Sequence, residues 1–274
     1  GCSLALATVA QDLGIEELID AACPVRAGAV PIGRQLLLIA LHRALAPRWG
    51  NSKTSLQVSY QGSALSELLP LPETALDNRR LCETLAGLTN KQVEEIESAI
   101  VQRLIEREGV RLEALAFDTT NFDSYAAAST RSQLLRRGHP KSGRPLRVLG
   151  LALLVTEDEG LPLLTFVYPG NENDVTAFAR FLGALDRRRS SLKLPVDATI
   201  AADGGNISKK ILRRLEAGSR HYILRLPARH AVELAREASR DLPSLSGKLK
   251  GNVRARKQQC HVYGVERCVV DVYS

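Results

Sequence analysis

The sequence has no methionine and a single tryptophan, and aromatic residues make up only 4% of its 274 positions. No apolar run reaches the roughly eighteen residues needed to span a bilayer, so no membrane helix is expected. The opening GCSLALATVAQDLG has no basic flank and is broken early by Gln11 and Asp12, which argues against a signal peptide. The five cysteines (Cys2, Cys23, Cys82, Cys260, Cys268) are scattered, odd in number and without a CxxC. That excludes zinc-ribbon spacing and argues against a disulfide framework, so a reduced, cytoplasmic setting fits best. The missing methionine, and an end at Ser274 inside an alternating apolar stretch, are what a piece of a longer reading frame would show. Acidic residues are also missing locally. From Ser124 to Thr156 there is no Asp or Glu, while the same interval carries Arg131, Arg136, Arg137, His139, Lys141, Arg144 and Arg147.

Hydrophobic residues form 45% of the chain, enough for a packed core and for one or two domains. The net charge is +7 and the isoelectric point about 9.3, with arginine the commoner base. Arginine forks suit phosphate groups. The run Arg187–Arg189 reads as a solvated face. Lys209, Lys210, Arg213 and Arg214 form another basic cluster. The acid-free interval points to a polyanionic partner, most simply nucleic acid.

Residues 1–110 read as mostly helical, a region that could bind DNA or simply pack. Leu4–Ala10, Ile15–Ala22 and Ile32–Ala46 carry apolar residues at helical spacing, and Pro47 follows the third. The clearest helix is TNKQVEEIESAIVQRLIEREG. Thr89 and Gln92 are placed for a capping box, and Gly109 is a natural stop. Residues 111–240 change character. Leu112–Phe117 reads as a strand ending at Asp118. VLGLALLVT (148–156) and LPLLTFVYP (161–169) read as an antiparallel hairpin around an acidic-glycine turn. A helix follows, capped by Asn173 or Asp174, then a strand ending at Asp203, then a helix capped by Ser208, then the strand 221–226. PARHAVELAREASR reads as a further helix. Residues 241–274 return to an alternating, β-type pattern.

Two aspartates share one setting. Asp118 follows the apolar run Ala114–Phe117, and Asp203 follows Thr199–Ala202. Each alone could be a turn former, capping Thr119-Thr120-Asn121 in one case and standing beside Gly204-Gly205 in the other. The order of elements is that of an α/β, ribonuclease-H-like mixed sheet flanked by helices. There the first and fourth strands are neighbours, which would bring Asp118 and Asp203 to one spot. Two carboxylates suit Mg²⁺ or Mn²⁺, hard cations bound by oxygen and completed by substrate phosphate. Two such ions about 4 Å apart can activate a hydroxyl and stabilise the leaving oxygen at a phosphodiester.

The blocks FDTTNFDSY, RRGHPKSGRPLRVLGLALLV, LPLLTFVYPGNENDVTAF, ADGGNISKKIL and HYILRLP, in that order, resemble the insertion-sequence transposases of the Asp-Asp-Glu class. The group resembled is the one with a Tyr-Arg-Glu-Lys signature. The resemblance spans roughly Gly109–Pro227. It implies metal-dependent DNA cleavage and strand transfer, with Asp118 and Asp203 as the first two catalytic and metal-binding carboxylates. The partner would be DNA, the ends of a mobile element, with a homodimer as an open assembly state. Arg136, Arg137, His139, Lys141, Arg144, Lys209 and Lys210 are the candidate DNA contacts, although His139 also reads as part of a solvated loop. Asn206 either orients substrate or Asp203, or serves the turn.

There are two departures. Gly204 stands where the group has a basic residue, and no Tyr-Arg-Glu-Lys occurs in the chain. In this group a β-rich insertion precedes the catalytic Glu, and residues 241–274 read as its start. On that reading the chain lacks the third acid and is inactive by itself. Glu237, 34 positions after Asp203, is the internal substitute, with Glu233 one turn earlier. The alternatives are a metal-dependent nuclease of the same fold and a catalytically silent DNA-binding remnant.

Overall fold

The computed structural model describes residues 1–25, 29–45, 53–127, 129–138, 140, 142–203, 207–218, 220–226 and 254–273. The chain divides into two compact units, Gly1–Arg111 with Arg188–Lys193, and Leu112–Arg187 with Leu194–Ser274.

The described part of the first unit is helical. Its elements are α1 (Cys2–Asp12), α2 (Ile15–Ala22), α3 (Ile32–Leu45), α4 (Lys53–Gln61), α5 (Leu65–Leu68), a 3-10 turn at Glu73–Leu76, α6 (Asn78–Gly87) and α7 (Asn90–Glu108). Apolar residues at helical spacing converge on one core, including Ala7, Leu37, Leu38, Leu41, Leu65, Leu69 and Leu81. Tyr60 and Gln35 find polar partners inside it. The Tyr60 hydroxyl donates to the Leu69 carbonyl at 3.0 Å and accepts from the Leu71 N–H at 2.9 Å. Gln35 Nε2 donates to the Ala75 carbonyl at 2.8 Å. The capping box read from the sequence is present. The Gln92 N–H donates to Thr89 Oγ1 at 3.2 Å, and the Thr89 N–H donates to Gln92 Oε1 at 3.0 Å. Gly109, at φ +60°, ends α7 in the left-handed conformation that glycine takes without strain.

The solvated reading of Arg187–Arg189 is corrected at its middle residue. Arg188 is buried and ion-paired with Glu97, and its Nη2 donates to Ser98 Oγ at 2.8 Å and to the Glu94 carbonyl at 3.3 Å. Its partners lie some ninety residues earlier, beyond the reach of a local charge-run argument.

The second unit is built on a mixed sheet of β1 (Ala114–Ser124), β2 (Arg136–Arg137), β3 (Arg147–Thr156), β4 (Pro162–Pro169), β5 (Thr199–Ala202) and β6 (His221–Leu224). β3 runs antiparallel to β1 on one side, and to β2 and β4 on the other. β1, β5 and β6 are mutually parallel in that order. The core order β4-β3-β1-β5-β6 makes the fold ribonuclease-H-like, with the first strand beside the fourth core strand. The helices are α8 (Asp174–Arg188) and α9 (Lys209–Ala217). The Thr176 N–H donates to Asn173 Oδ1 at 2.8 Å, so Asn173 caps α8, and the Ile211 N–H donates to Ser208 Oγ at 3.3 Å to cap α9. A separate antiparallel hairpin, β7 (Arg254–Val262) and β8 (Val265–Tyr273), follows.

Strand boundaries differ from the sequence reading at β6, which ends at Leu224 rather than at 226, and at both ends of β1, which begins at Ala114 rather than Leu112. Asp118 does not end β1; the strand runs on to Ser124, pairing with β3 through Ser124↔Arg147. The polar residues Thr119, Thr120 and Asn121 suggest a turn, but Thr and Phe also favour strands, and the apolar partner β3 supplies the ladder. What ends beside Asp118 is the parallel partner β5.

Candidate active site

β3 alternates cleanly between buried and half-buried residues, and the first residues of β1 follow the same period. Leu115 and Phe117 of β1, Ala152 and Leu154 of β3, and Ile200 of β5 point into the core. Phe117 packs against Phe178 and Phe181 of α8, with ring centroids 4.4 and 4.5 Å away. These contacts fix which face of β1 is inward. Asp118 therefore projects from the opposite face and is exposed.

The parallel register decides what it meets. Phe117 pairs with Ala202 across β1 and β5, and Ala202 pairs with Leu224 across β5 and β6. One residue further along each chain stand Asp118, Asp203 and Arg225. Neighbouring strands lie about 4.8 Å apart, so these three residues form a row across the middle of β1 and the ends of β5 and β6. All three are exposed. The Thr119 N–H donates to Asp118 Oδ1 at 2.7 Å. Arg225 Nη1 lies 3.7 Å from Asp203 Oδ1. Arg225 is not among the site residues expected from the sequence. The available signal was HYILRL itself, where a cation follows an apolar strand just as Asp118 and Asp203 follow theirs.

Behind this row, Tyr168 is buried with its ring against Gly150, where a Cβ would collide with it. Burial raises the Tyr168 phenol above its ordinary value, a hydrogen bond with Thr119 opposes that rise, and Asp174, Glu172 and Asp118 add to it.

The row offers two carboxylates of the hard-oxygen type that Mg²⁺ and Mn²⁺ prefer, with open space for phosphate oxygens to complete the shell. The residues fit one such ion. Among the described residues no group of three or more His, Cys, Asp or Glu side chains is placed to hold a metal.

The candidate DNA contacts fall into two places. Arg136 and Arg137 form β2, exposed, opposite Val148 and Arg147. Val148 also faces Asp123, five residues beyond Asp118, which sets Arg136 about 20 Å from Asp118. Arg144 is exposed, its Nη1 3.3 Å from the Tyr125 hydroxyl. Arg147 is used otherwise: it donates to the carbonyls of Thr130 at 2.9 Å and Ala126 at 3.2 Å, holding the loop between β1 and β2. Lys209 and Lys210 stand exposed in the first turn of α9, which has no acid. The helix dipole disfavours cations there, so an anionic partner would relieve a real electrostatic cost. His139, Lys141, Gly204, Asn206, Glu233 and Glu237 lie outside the described residues.

With this geometry in place, comparisons identify a family. A family model described as a transposase DDE domain matches residues 114–270. Among solved structures, the chain is similar to a Mos1 transposase paired-end complex with the left transposon end, at 15% identity and a TM-score of 0.27, covering 67% of this chain and 57% of that one. A pre-cleavage Mos1 transpososome is 12% identical, with a TM-score of 0.27 and coverage of 81% and 77%. The Mos1 strand transfer complex is 13% identical, with a TM-score of 0.27 and coverage of 86% and 82%. The chain spans less than two thirds of the length of the paired-end chain. No curated protein matches it.

Proposed function

Because the chain belongs to the transposase DDE domain family, we propose that it acts on DNA, with Asp118 and Asp203 as the metal-holding carboxylates of a cleavage and strand-transfer site. The observation that carries this reading is the parallel register of β1 and β5, whose last pair, Phe117 with Ala202, stands one residue before each of two exposed carboxylates. Mg²⁺ or Mn²⁺ bound there would supply a Lewis acid for the phosphodiester and a lowered pKa for the attacking hydroxyl. The protein's own part is positional: Phe117 holds the strand, and the alternation of β1 directs Asp118 outward. Arg136, Arg137, His139, Lys141, Arg144, Lys209 and Lys210 would bind the DNA backbone, fixing the duplex without reading its sequence. The Tyr-Arg-Glu-Lys group, and assembly as a homodimer, belong to the same proposal.

A second reading, binding without strand transfer, is favoured by the lack of a third converging acid among the described residues. The test separates the two. Mn²⁺ binding is titrated with the full chain and with Asp118→Asn and Asp203→Asn, then nicking is followed on a plasmid carrying the DNA that flanks the gene. Each Asn variant should lose affinity by ~100-fold, since even outer-shell partners of a metal contribute 10–100-fold. Nicking abolished by Glu237→Gln would make Glu237 the third acid. Mn²⁺ bound by the pair with no nicking would favour the second reading. Mn²⁺ binding indifferent to both Asn changes would refute the site.

A further inference from the structure

We propose that Arg225 is the phosphate clamp of this site: its guanidinium rests against Asp203 when no cation is bound, and engages a non-bridging oxygen of the phosphodiester when one is. The inference rests on the reading of Asp118 and Asp203 as metal-holding carboxylates.

Backbone geometry fixes where the side chain starts. β6 pairs with β5 in parallel through Ala202↔Leu224, and the Arg225 N–H continues the ladder to the Ala202 carbonyl at 3.5 Å. Alternation along β6 then sends Arg225 to the face that carries Asp118 and Asp203, while the Leu224 position faces the core side. The side chain itself is loosely held. Its Nη1 stands 3.7 Å from Asp203 Oδ1, beyond hydrogen-bond length, and it is 80% exposed. An ion pair that long and that exposed adds little to stability, so a role in folding gives a poor account of the residue.

Charge balance gives a better one. Two carboxylates repel a phosphodiester. A divalent ion cancels those two charges and leaves the phosphate's single charge to be matched, which one guanidinium does. Arginine is suited to this because its planar fork meets two oxygens at once and stays charged at any working pH. Its distance along the row also suits: Arg225 is one strand beyond Asp203 and two beyond Asp118, about 5 and 10 Å. A phosphate bridging the metal and the guanidinium would lie over Asp203.

The role predicts effects of opposite sign, which a packing role does not. Removing the cation should strengthen metal binding and weaken phosphate capture. In the full chain, Arg225→Gln should bind Mn²⁺ ~3-fold more tightly, the size expected from one exposed unit charge. Pulsed EPR of the bound Mn²⁺ in the presence of a 20-base-pair duplex should show ³¹P hyperfine coupling in the wild-type chain. At equal duplex occupancy, that coupling should fall several-fold in Arg225→Gln and be partly restored in Arg225→Lys. Unchanged ³¹P coupling in Arg225→Gln overturns the proposal, as does weaker Mn²⁺ binding, which would mark a structural role. Neither result touches the aspartate pair. Mn²⁺ binding that survives Asp118→Asn and Asp203→Asn would instead remove the site itself, and the role of Arg225 with it.

Discussion

Replacing Glu216 by Gln should loosen the β7–β8 hairpin more than replacing its partner Arg267 by Met. Arg267 projects from β8 and forms a fork on Glu216 at the end of α9, with Nε to Oε1 at 2.8 Å and Nη2 to Oε2 at 3.0 Å. The Tyr222 hydroxyl of β6 joins them, donating to Glu216 Oε1 at 2.8 Å and accepting from Arg267 Nε at 3.2 Å. The two ions are not equally placed: the Arg267 side chain is 9% exposed and that of Glu216 34%. Losing the carboxylate therefore strands a buried cation. Breaking a fully buried pair costs 3–5 kcal/mol, and the partial exposure of Glu216 brings the expected loss to about 2 kcal/mol. Losing the guanidinium leaves an anion that water can reach, at about 1 kcal/mol. The double variant should recover part of the loss, with a coupling energy of about 1 kcal/mol. Hydrogen exchange of the β8 amides reads this directly. A loss of 2 kcal/mol speeds exchange by about 30-fold where the hairpin opens as a unit. Equal, additive effects of the two single variants would refute the argument, because they would show that the charges do not depend on one another.

The same cluster sets a pH dependence. The Glu216 carboxyl lies below its ordinary value, chiefly through the Arg267 hydrogen bonds, with burial opposing and Tyr222 assisting. A depressed carboxyl stabilises the fold fully above its unfolded value of about 4.3 and loses that contribution as pH falls through the folded value. Protection of the β8 amides, measured against their intrinsic exchange rates, should therefore fall below about pH 4 in the wild type and less steeply in Glu216→Gln. Gly150→Ala should destabilise the second unit by about 1–3 kcal/mol in urea unfolding, because its Cβ would occupy the place of the Tyr168 ring; a neutral result would mean that the ring moves aside freely. Replacing Arg136, Arg137 and Lys141 together by Ala should lower the slope of log affinity against log salt by ~2–3 in an anisotropy titration with duplex DNA. An unchanged slope would assign these residues to a solvated surface.

The sequence made some features visible because their causes are local. The Thr89–Gln92 box, the Ser208 cap, the stop at Gly109 and the hairpin of β3 and β4 each depend on residues a few positions apart. The parallel neighbouring of β1 and β5 was also legible, through element order. What escaped depends on distant partners. The extension of β1 to Ser124 needs β3 as a template, the burial of Arg188 needs Glu97, and the place of Arg225 needs the β5–β6 register. A two-residue strand such as β2 carries too little pattern to be read at all.

The register of β1 also bears on how such a chain can vary in length. Between Leu115 and Phe117, β1 is locked on both sides, to β3 and to β5. Side chains alternate with period two, so gaining or losing a single codon there would swap every inward and outward position beyond it. Asp118 would turn into the core and Phe117 or Thr119 would take its place. The same change in the loop after Ser124 would leave the carboxylate row untouched. Indel tolerance along this chain should therefore fall abruptly at Ala114 and return beyond Ser124, giving a genetic footprint of the site that can be mapped without any knowledge of its chemistry.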